Sequence, residues 1–156
     1  MAIVDALLEF GTDQVKTTGA GNFTFANIID LGSIGVDTWG SGAQLYPASY
    51  SEGEVILNIQ SVKLVTTPAS CTGNIYYTLI GSDTAVGCTQ AAGIKILTSN
   101  VIVPEKYKYA GMKLWQISMP RTTYRFLGLV CYSDGNIDIK MNAWVGLDAE
   151  YGPQDV

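Results

Sequence analysis

The sequence predicts an all-β fold, an antiparallel β-sandwich. Short runs rich in Ile, Val, Tyr and Trp alternate with segments of Gly, Ser, Asp, Asn and Pro, which is the pattern of strands separated by turns. No segment keeps apolar residues at a period of 3.6 over the length of an ordinary helix. Strands joined by turns, without helices between them, favour a sandwich or barrel over βαβ units. The 156 residues are enough for one domain with a single core.

The beginning of the chain is predicted to be separate from this sandwich: residues 1–24 form an N-terminal arm or segment, and residues 25–156 form the β-sandwich domain. In MAIVDALLEF the apolar side chains would share one face of a short helix, but an extended arm fits as well. No basic residue precedes the apolar part, so we expect no signal peptide. The arm either contacts a neighbouring subunit or another protein, or completes the domain's own core. Its candidate contact residues are Ile3, Val4, Leu7, Leu8 and Phe10.

A long glycine-rich segment follows at residues 32–52. Its only aromatic side chains are those of Trp39, Tyr46 and Tyr50. Loops of this length inside compact domains are more often functional or bound to a partner than idle. These three aromatic residues are therefore candidate binding residues.

The next strand, in EVILNIQSVKLV, changes its apolar phase part of the way along. Val55, Leu57 and Ile59 share one face, whereas the later apolar residues lie on the other, so the phase slips near Gln60 and Ser61. A β-bulge or bend at this point would restore a single inward face. Further short strands are predicted within residues 74–81, 93–99 and 112–118.

Two late strands carry the strongest signals. Residues 123–132 place apolar side chains on both faces, which predicts that the core covers one face and something else, such as another subunit, covers the other. Residues 136–148 alternate strictly between apolar and other residues, as a strand with one buried face does. The four residues Ser133 to Asn136 are predicted to be the turn of a hairpin between these two strands.

Composition argues against several classes of function. The chain has no histidine, which removes the commonest metal ligand and the best proton-transfer side chain at neutral pH, so we expect no enzyme, no cofactor and no metal site. A net charge of −5 disfavours direct contact with nucleic acid. No apolar run approaches the length of a membrane helix. The three cysteines are expected to be buried thiols, with a disulfide between Cys71 and Cys88 left open.

Three segments of the sequence look familiar. NIIDLG at residues 27–32, which follows DALLEF and a Thr-rich segment, PRTTYRFLGL at residues 120–129, and NAWVGLDAEY at residues 142–151 resemble the jelly-roll capsid cement (decoration) proteins of tailed bacteriophages. The chain departs from that family in its GTDQVKTT segment and in the glycine-rich insertion after Gly32.

The resemblance implies a jelly roll and a structural virion protein. Such a protein is made in the host cytoplasm, binds the capsid exterior between subunits of the major capsid protein, often as a trimer, and stabilises the head. The apolar arm and the three loop aromatics would then be contacts to the capsid or to neighbouring subunits. The alternative is a carbohydrate-binding jelly-roll module, in which Trp39, Tyr46 and Tyr50 would form a platform for stacking on sugars.

Overall fold

A computed structural model describes residues 9–16, 19–30, 49–50, 53–54, 56–62, 71–89, 92–107, 109–120, 122 and 124–146. The strands are β1 (Glu9–Lys16), β2 (Gly21–Thr24), β3 (Ile29–Asp30), β4 (Ser49–Tyr50), β5 (Gly53–Glu54), β6 (Ile56–Ser61), β7 (Ile75–Ser82), β8 (Ile94–Thr98), β9 (Lys113–Ser118), β10 (Phe126–Ser133) and β11 (Ile139–Gly146). A one-turn helix, α1 (Pro104–Tyr107), and a 3-10 turn (Ala85–Gly87) accompany them. No helix in these ranges is long and apolar enough to cross a membrane.

The longer strands form two antiparallel sheets packed face to face, which confirms the predicted β-sandwich. Sheet A has the strand order β1-β11-β6-β9. Sheet B has the order β2-β10-β7-β8, and β3 also pairs with β10. The short strands β4 and β5 pair only with each other among the described strands.

The core lies between the two sheets and is centred on Tyr77 of β7. The Tyr77 hydroxyl donates to the Met141 sulfur of β11 at 2.9 Å, and its ring stacks on that of Trp115 of β9 at 6.3 Å between centroids. Tyr107 of α1 is also fully buried, and its hydroxyl donates to the Gly73 carbonyl at 2.6 Å. Both polar tips therefore have a partner, as buried tyrosines require.

The chain enters the sandwich earlier than the sequence analysis placed it. The described part of the predicted N-terminal segment supplies β1, which pairs with β11, and β2, which pairs with β10. The β1 signal is hidden in the sequence because its register shifts on both sides of Gly11 and because Asp13 has a φ of 54°, so simple alternation is lost. Phe10 of β1 is fully buried in the core.

A register shift is present where β6 pairs with β9, but its extra residue lies on β9 and not on β6, where the sequence predicted a bulge. Ile59 is opposite Trp115 and Gln60 is opposite Lys113, so Leu114 of β9 has no partner across the ladder. An extra residue on β9 changes the alternation of β9 only, and β6 pairs with β11 from Ile56 to Ser61 without a register shift, so this bulge does not account for the phase change in the β6 sequence.

The predicted hairpin between β10 and β11 is wrong, because β10 belongs to sheet B and β11 to sheet A. The turn instead crosses from one sheet to the other and is held by the segment before β7. The Asp134 carboxylate accepts hydrogen bonds from the Asn74 backbone N–H at 2.6 Å and from the Asn74 side-chain amide at 3.0 Å. Gly73 and Gly135 pack backbone to backbone, so a Cβ on Gly73 would lie 2.7 Å from Gly135.

The middle of β10 is covered on both faces, as the sequence predicts, but there the second cover comes from the same chain and not from another subunit. Leu127, Leu129 and Cys131 point into the core. On the outer face Val130 is only 2% exposed, and Cys88 lies against Gly128, where an added Cβ would be 3.1 Å from the Cys88 Cβ. The segment after the 3-10 turn therefore contributes part of the second cover.

Candidate functional site

Two of the segments singled out in the sequence, NIIDLG and PRTTYRFLGL, meet in space. NIIDLG contributes β3, and PRTTYRFLGL contributes the start of β10. The two strands pair with Asp30 opposite Phe126 and with Ile29 opposite Leu127. Segments almost a hundred residues apart in the chain thus form one structural unit at the edge of sheet B.

The charged pair at this junction is bidentate. Arg125 Nε donates to Asp30 Oδ1 at 2.8 Å, and Arg125 Nη2 donates to Asp30 Oδ2 at 2.9 Å. The guanidinium also lies 4.9 Å from the centroid of the Phe126 ring. Parallel N–H···O bonds of this kind fix geometry as well as charge. The Arg125 side chain therefore ties β3 to β10, which is a structural role.

The predicted contact residues differ in how far the structure describes them. Phe10 fills the core, so for this residue the alternative that it completes the domain's own core holds. Tyr50 is part of β4, where only the backbone is described. The other candidates lie outside the described residues: Ile3, Val4, Leu7, Leu8, Trp39 and Tyr46. Of the predicted set, Phe10 is the residue whose side-chain surroundings the structure describes.

All three cysteines are free and buried. The Cys71 sulfur accepts from the Asp138 backbone N–H at 3.3 Å, whereas Cys88 lies against the outer face of β10, so the disulfide between them that the sequence left open is not formed. Burial raises the pKa of Cys88, and it raises the pKa of Cys131 to about 12 although nearby Lys16 acts in the opposite direction. Because the thiolate is the reactive form, neither thiol is set up as a nucleophile.

Two carboxylates of the described residues have roles in local structure. Asp134 holds the turn that crosses between the sheets, and Asp13 pairs with Lys140 at 3.2 Å. Within the described ranges no three Cys, Asp or Glu side chains come together as metal ligands.

The structure shows a surface that the sequence analysis did not select. We call it the β8–β9 side and define it as Ile94–Lys113, which comprises the edge strand of sheet B, the edge strand of sheet A at its first residue, and the connection between them. Five of the eight exposed large apolar residues in the described part of the chain lie here. They are Ile94 at 54% exposure, Val101 at 63%, Val103 at 41%, Tyr109 at 58% and Met112 at 39%.

Positive charge is concentrated on the same side. Lys95, Lys106 and Lys113 are exposed here, and Lys108 belongs to the same stretch of sequence. The sequence alone already indicates this concentration of positive charge, because four of the nine basic residues of the chain fall within the twenty positions Ile94–Lys113. Tyr107, which lies between two of these lysines in the sequence, does not belong to the exposed surface, because its side chain is buried in the core.

One further aromatic feature lies on the outer face of sheet B. Tyr76 of β7 and Tyr132 of β10 are directly opposite each other in the ladder and are half-buried. Their ring centroids are 4.8 Å apart with a 34° angle between the ring planes. This pair is the partly exposed aromatic surface that the described strands offer to a flat ligand.

Comparison with known proteins adds no family to this picture: no protein-family model matches the chain, and no curated protein matches it.

Proposed function

We propose that this protein is a structural component of a bacteriophage virion. It binds the outer surface of the capsid between subunits of the major capsid protein, as a homotrimer, and stabilises the head. It is made in the host cytoplasm and then resides on the capsid exterior. It carries out no catalysis and needs no cofactor.

The observation that carries this proposal is the meeting of the two family-like segments. A chance resemblance of short peptides gives no reason for Asp30 and Arg125 to form a bidentate pair where β3 joins β10. If the segments resemble the cement family because the fold is shared, their contact is expected.

The strand order supports the jelly roll that we propose as the finer description of the sandwich. When the short strands β3, β4 and β5 are set aside, eight strands remain, four in each sheet. The first and last of them, β1 and β11, are neighbours in sheet A, and the second and second-last, β2 and β10, are neighbours in sheet B. In a jelly roll, the first strand likewise pairs with the last and the second with the second-last, and two Greek keys form the two facing sheets.

Co-sedimentation tests the proposed function. Purified protein is mixed with empty heads of the phage whose genome encodes it, and the pelleted fraction is measured against protein concentration. Saturable binding with a fixed number of copies per head is expected, together with a higher temperature of head disruption. Binding that does not saturate, or that is equal on heads of an unrelated phage, contradicts the proposal.

Carbohydrate binding is the second candidate, and the pair of Tyr76 and Tyr132 favours it. Partly exposed aromatic rings on a sheet face can stack on the apolar face of a sugar. A glycan array with the wild type and with a Tyr76→Ala, Tyr132→Ala double variant tests this function. Glycan binding that the double variant loses would favour it, whereas no binding by the wild type removes it.

A further inference from the structure

We propose that the β8–β9 side binds a second copy of this chain, on a surface of that copy outside Ile94–Lys113. The contact is therefore head-to-tail, with two different patches meeting. This inference deepens the self-association in the proposed function and is independent of whether the partner of the assembled protein is a capsid.

Charge identifies the occupant. The sequence stretch Ile94–Lys113 contains four of the nine basic residues but only one of the fourteen acidic residues, Glu105, which gives this stretch a formal charge of +3. The remaining five basic and thirteen acidic residues give the rest of the chain a formal charge of −8. A basic patch is attracted to negative charge, and every other copy of this chain carries a net negative formal charge outside Ile94–Lys113.

Apolar exposure gives this side a reason to be covered. Five exposed large apolar residues are concentrated in a stretch of twenty, whereas the described part of the chain elsewhere exposes only Val15, Ile28 and Val86. Scattered single apolar residues are ordinary on protein surfaces, but a concentration of them beside charged residues is typical of an interaction site.

The two strand edges determine the kind of contact. Among the described strands, β8 pairs only with β7, and β9 pairs only with β6. Each edge carries an exposed lysine and a bulged residue, Ile96 on β8 and Leu114 on β9. Lysines and bulges on edge strands oppose the addition of another strand. The second copy is therefore bound through side chains and does not extend either sheet.

The lysines of the β8–β9 side also determine which symmetry the contact between copies can have. A two-fold contact would place the β8–β9 side of one copy against the same side of its partner, so that the lysines of both copies face one another. Like charges placed together are unfavourable, whereas a head-to-tail contact pairs basic with acidic surface. Repeated head-to-tail contacts either close into a ring or continue as a filament. A closed ring of three copies satisfies the proposed trimer.

Charge reversal tests the inference. A Lys95→Glu, Lys106→Glu, Lys113→Glu variant is compared with wild type by sedimentation velocity over a range of protein concentrations. We expect wild type to associate beyond the monomer and the reversed variant to associate at least about tenfold more weakly. The matched control replaces the same three lysines by arginine and should retain association. Circular dichroism confirms that each variant is folded.

A second pair of variants separates the apolar contribution from charge. Val101→Asp lies on the β8–β9 side, whereas Val86→Asp lies on the 3-10 turn and is 88% exposed. Only Val101→Asp should weaken association. Wild-type association that neither the charge reversal nor Val101→Asp weakens overturns this surface, and a wild-type assembly that stops at two copies overturns the head-to-tail arrangement. A wild type that stays monomeric removes self-association from the proposed function but leaves saturable head binding as a separate result.

Discussion

Apolar residues are buried in the interior around β10 but exposed on the β8–β9 side. Along the middle of β10 the inner face fills the core and the outer face is covered by the chain itself, with Val130 at 2% exposure. Along the β8–β9 side, Val101 and Tyr109 are both more than half exposed and lie among lysines. A strand that is apolar on both faces is thus no sign of an interface, and the exposed apolar residues of the β8–β9 side are the better candidates for one.

The largest difference in stability is expected between two variants, one that truncates an aromatic residue of the core and one that truncates an aromatic residue of the β8–β9 side. Phe10→Ala removes a ring from the core and should lower the free energy of unfolding by about 3–5 kcal/mol. Tyr109→Ala removes an exposed ring and should change it by no more than about 0.5 kcal/mol in the monomer. Urea unfolding of both variants measures the difference. A small effect of Phe10→Ala would mean that this part of β1 is an arm and not core.

Two valines sharpen the same comparison on the outer face of β10. Val130→Ala should lower the free energy of unfolding by about 2 kcal/mol, since it removes two buried methyl groups and leaves a cavity. Val101→Ala serves as its control, and its free energy of unfolding should match wild type. Equal midpoints of denaturation for the two variants would show that the outer face of β10 is open in solution.

Alkaline pH should destabilise the interior. Burial raises the pKa of Cys131 to about 12 and raises the pKa values of Tyr77 and Tyr107 above their usual range. In the unfolded chain a thiol loses its proton near pH ~8.5 and a tyrosine near pH ~10, so the folded state holds more protons above these values. Its stability is therefore complete below pH ~8.5 and is lost as pH rises, at up to about 1.4 kcal/mol per pH unit for each group.

Denaturation of wild type and of Cys131→Ala between pH 7 and pH 10 measures this slope. The variant should lose less stability than wild type above pH ~8.5, because it lacks the thiol that titrates there. Parallel curves for the two proteins would show that Cys131 ionises as readily in the folded chain as in the unfolded one.

The smallest effect is expected at the junction of β3 and β10. The Arg125 and Asp30 side chains are 51% and 44% exposed, so solvent screens their attraction. A double-mutant cycle with Arg125→Gln and Asp30→Asn should give a coupling energy of about 0.2–1 kcal/mol, smaller in high salt. A coupling energy that does not fall with salt would mean that the pair is shielded from solvent.

Much of the fold follows from the sequence, because strands reveal themselves locally. The inward residues of β11, from Ile139 to Val145, were predicted by alternation alone, and β7, β8 and β9 by short apolar runs between turns. Strand partners are a different matter. The sequence of a turn such as Ser133–Asn136 is the same whether the turn closes a hairpin or crosses between two sheets. Here the turn crosses between the sheets and is held by hydrogen bonds with Asn74, sixty residues away in the chain.

The site was less predictable than the fold for a related reason. Exposure at an edge strand depends on which strands are neighbours, so no local pattern distinguishes Val101, which is exposed, from Val130, which is buried. The Asp30–Arg125 pair likewise depends on β3 reaching β10. The clustering of lysines between Lys95 and Lys113 was readable, but only against the charge of the whole chain.

Zero-length cross-linking of lysines to carboxylates tests most directly whether the β8–β9 side is the surface that another copy covers. A mixture of unlabelled and ¹⁵N-labelled protein is cross-linked, and mass spectrometry selects peptides that join one label to the other. The account predicts links between copies from Lys95, Lys106 or Lys113 to acidic residues outside Ile94–Lys113. Links between copies that start only from other lysines, such as Lys140, would contradict it.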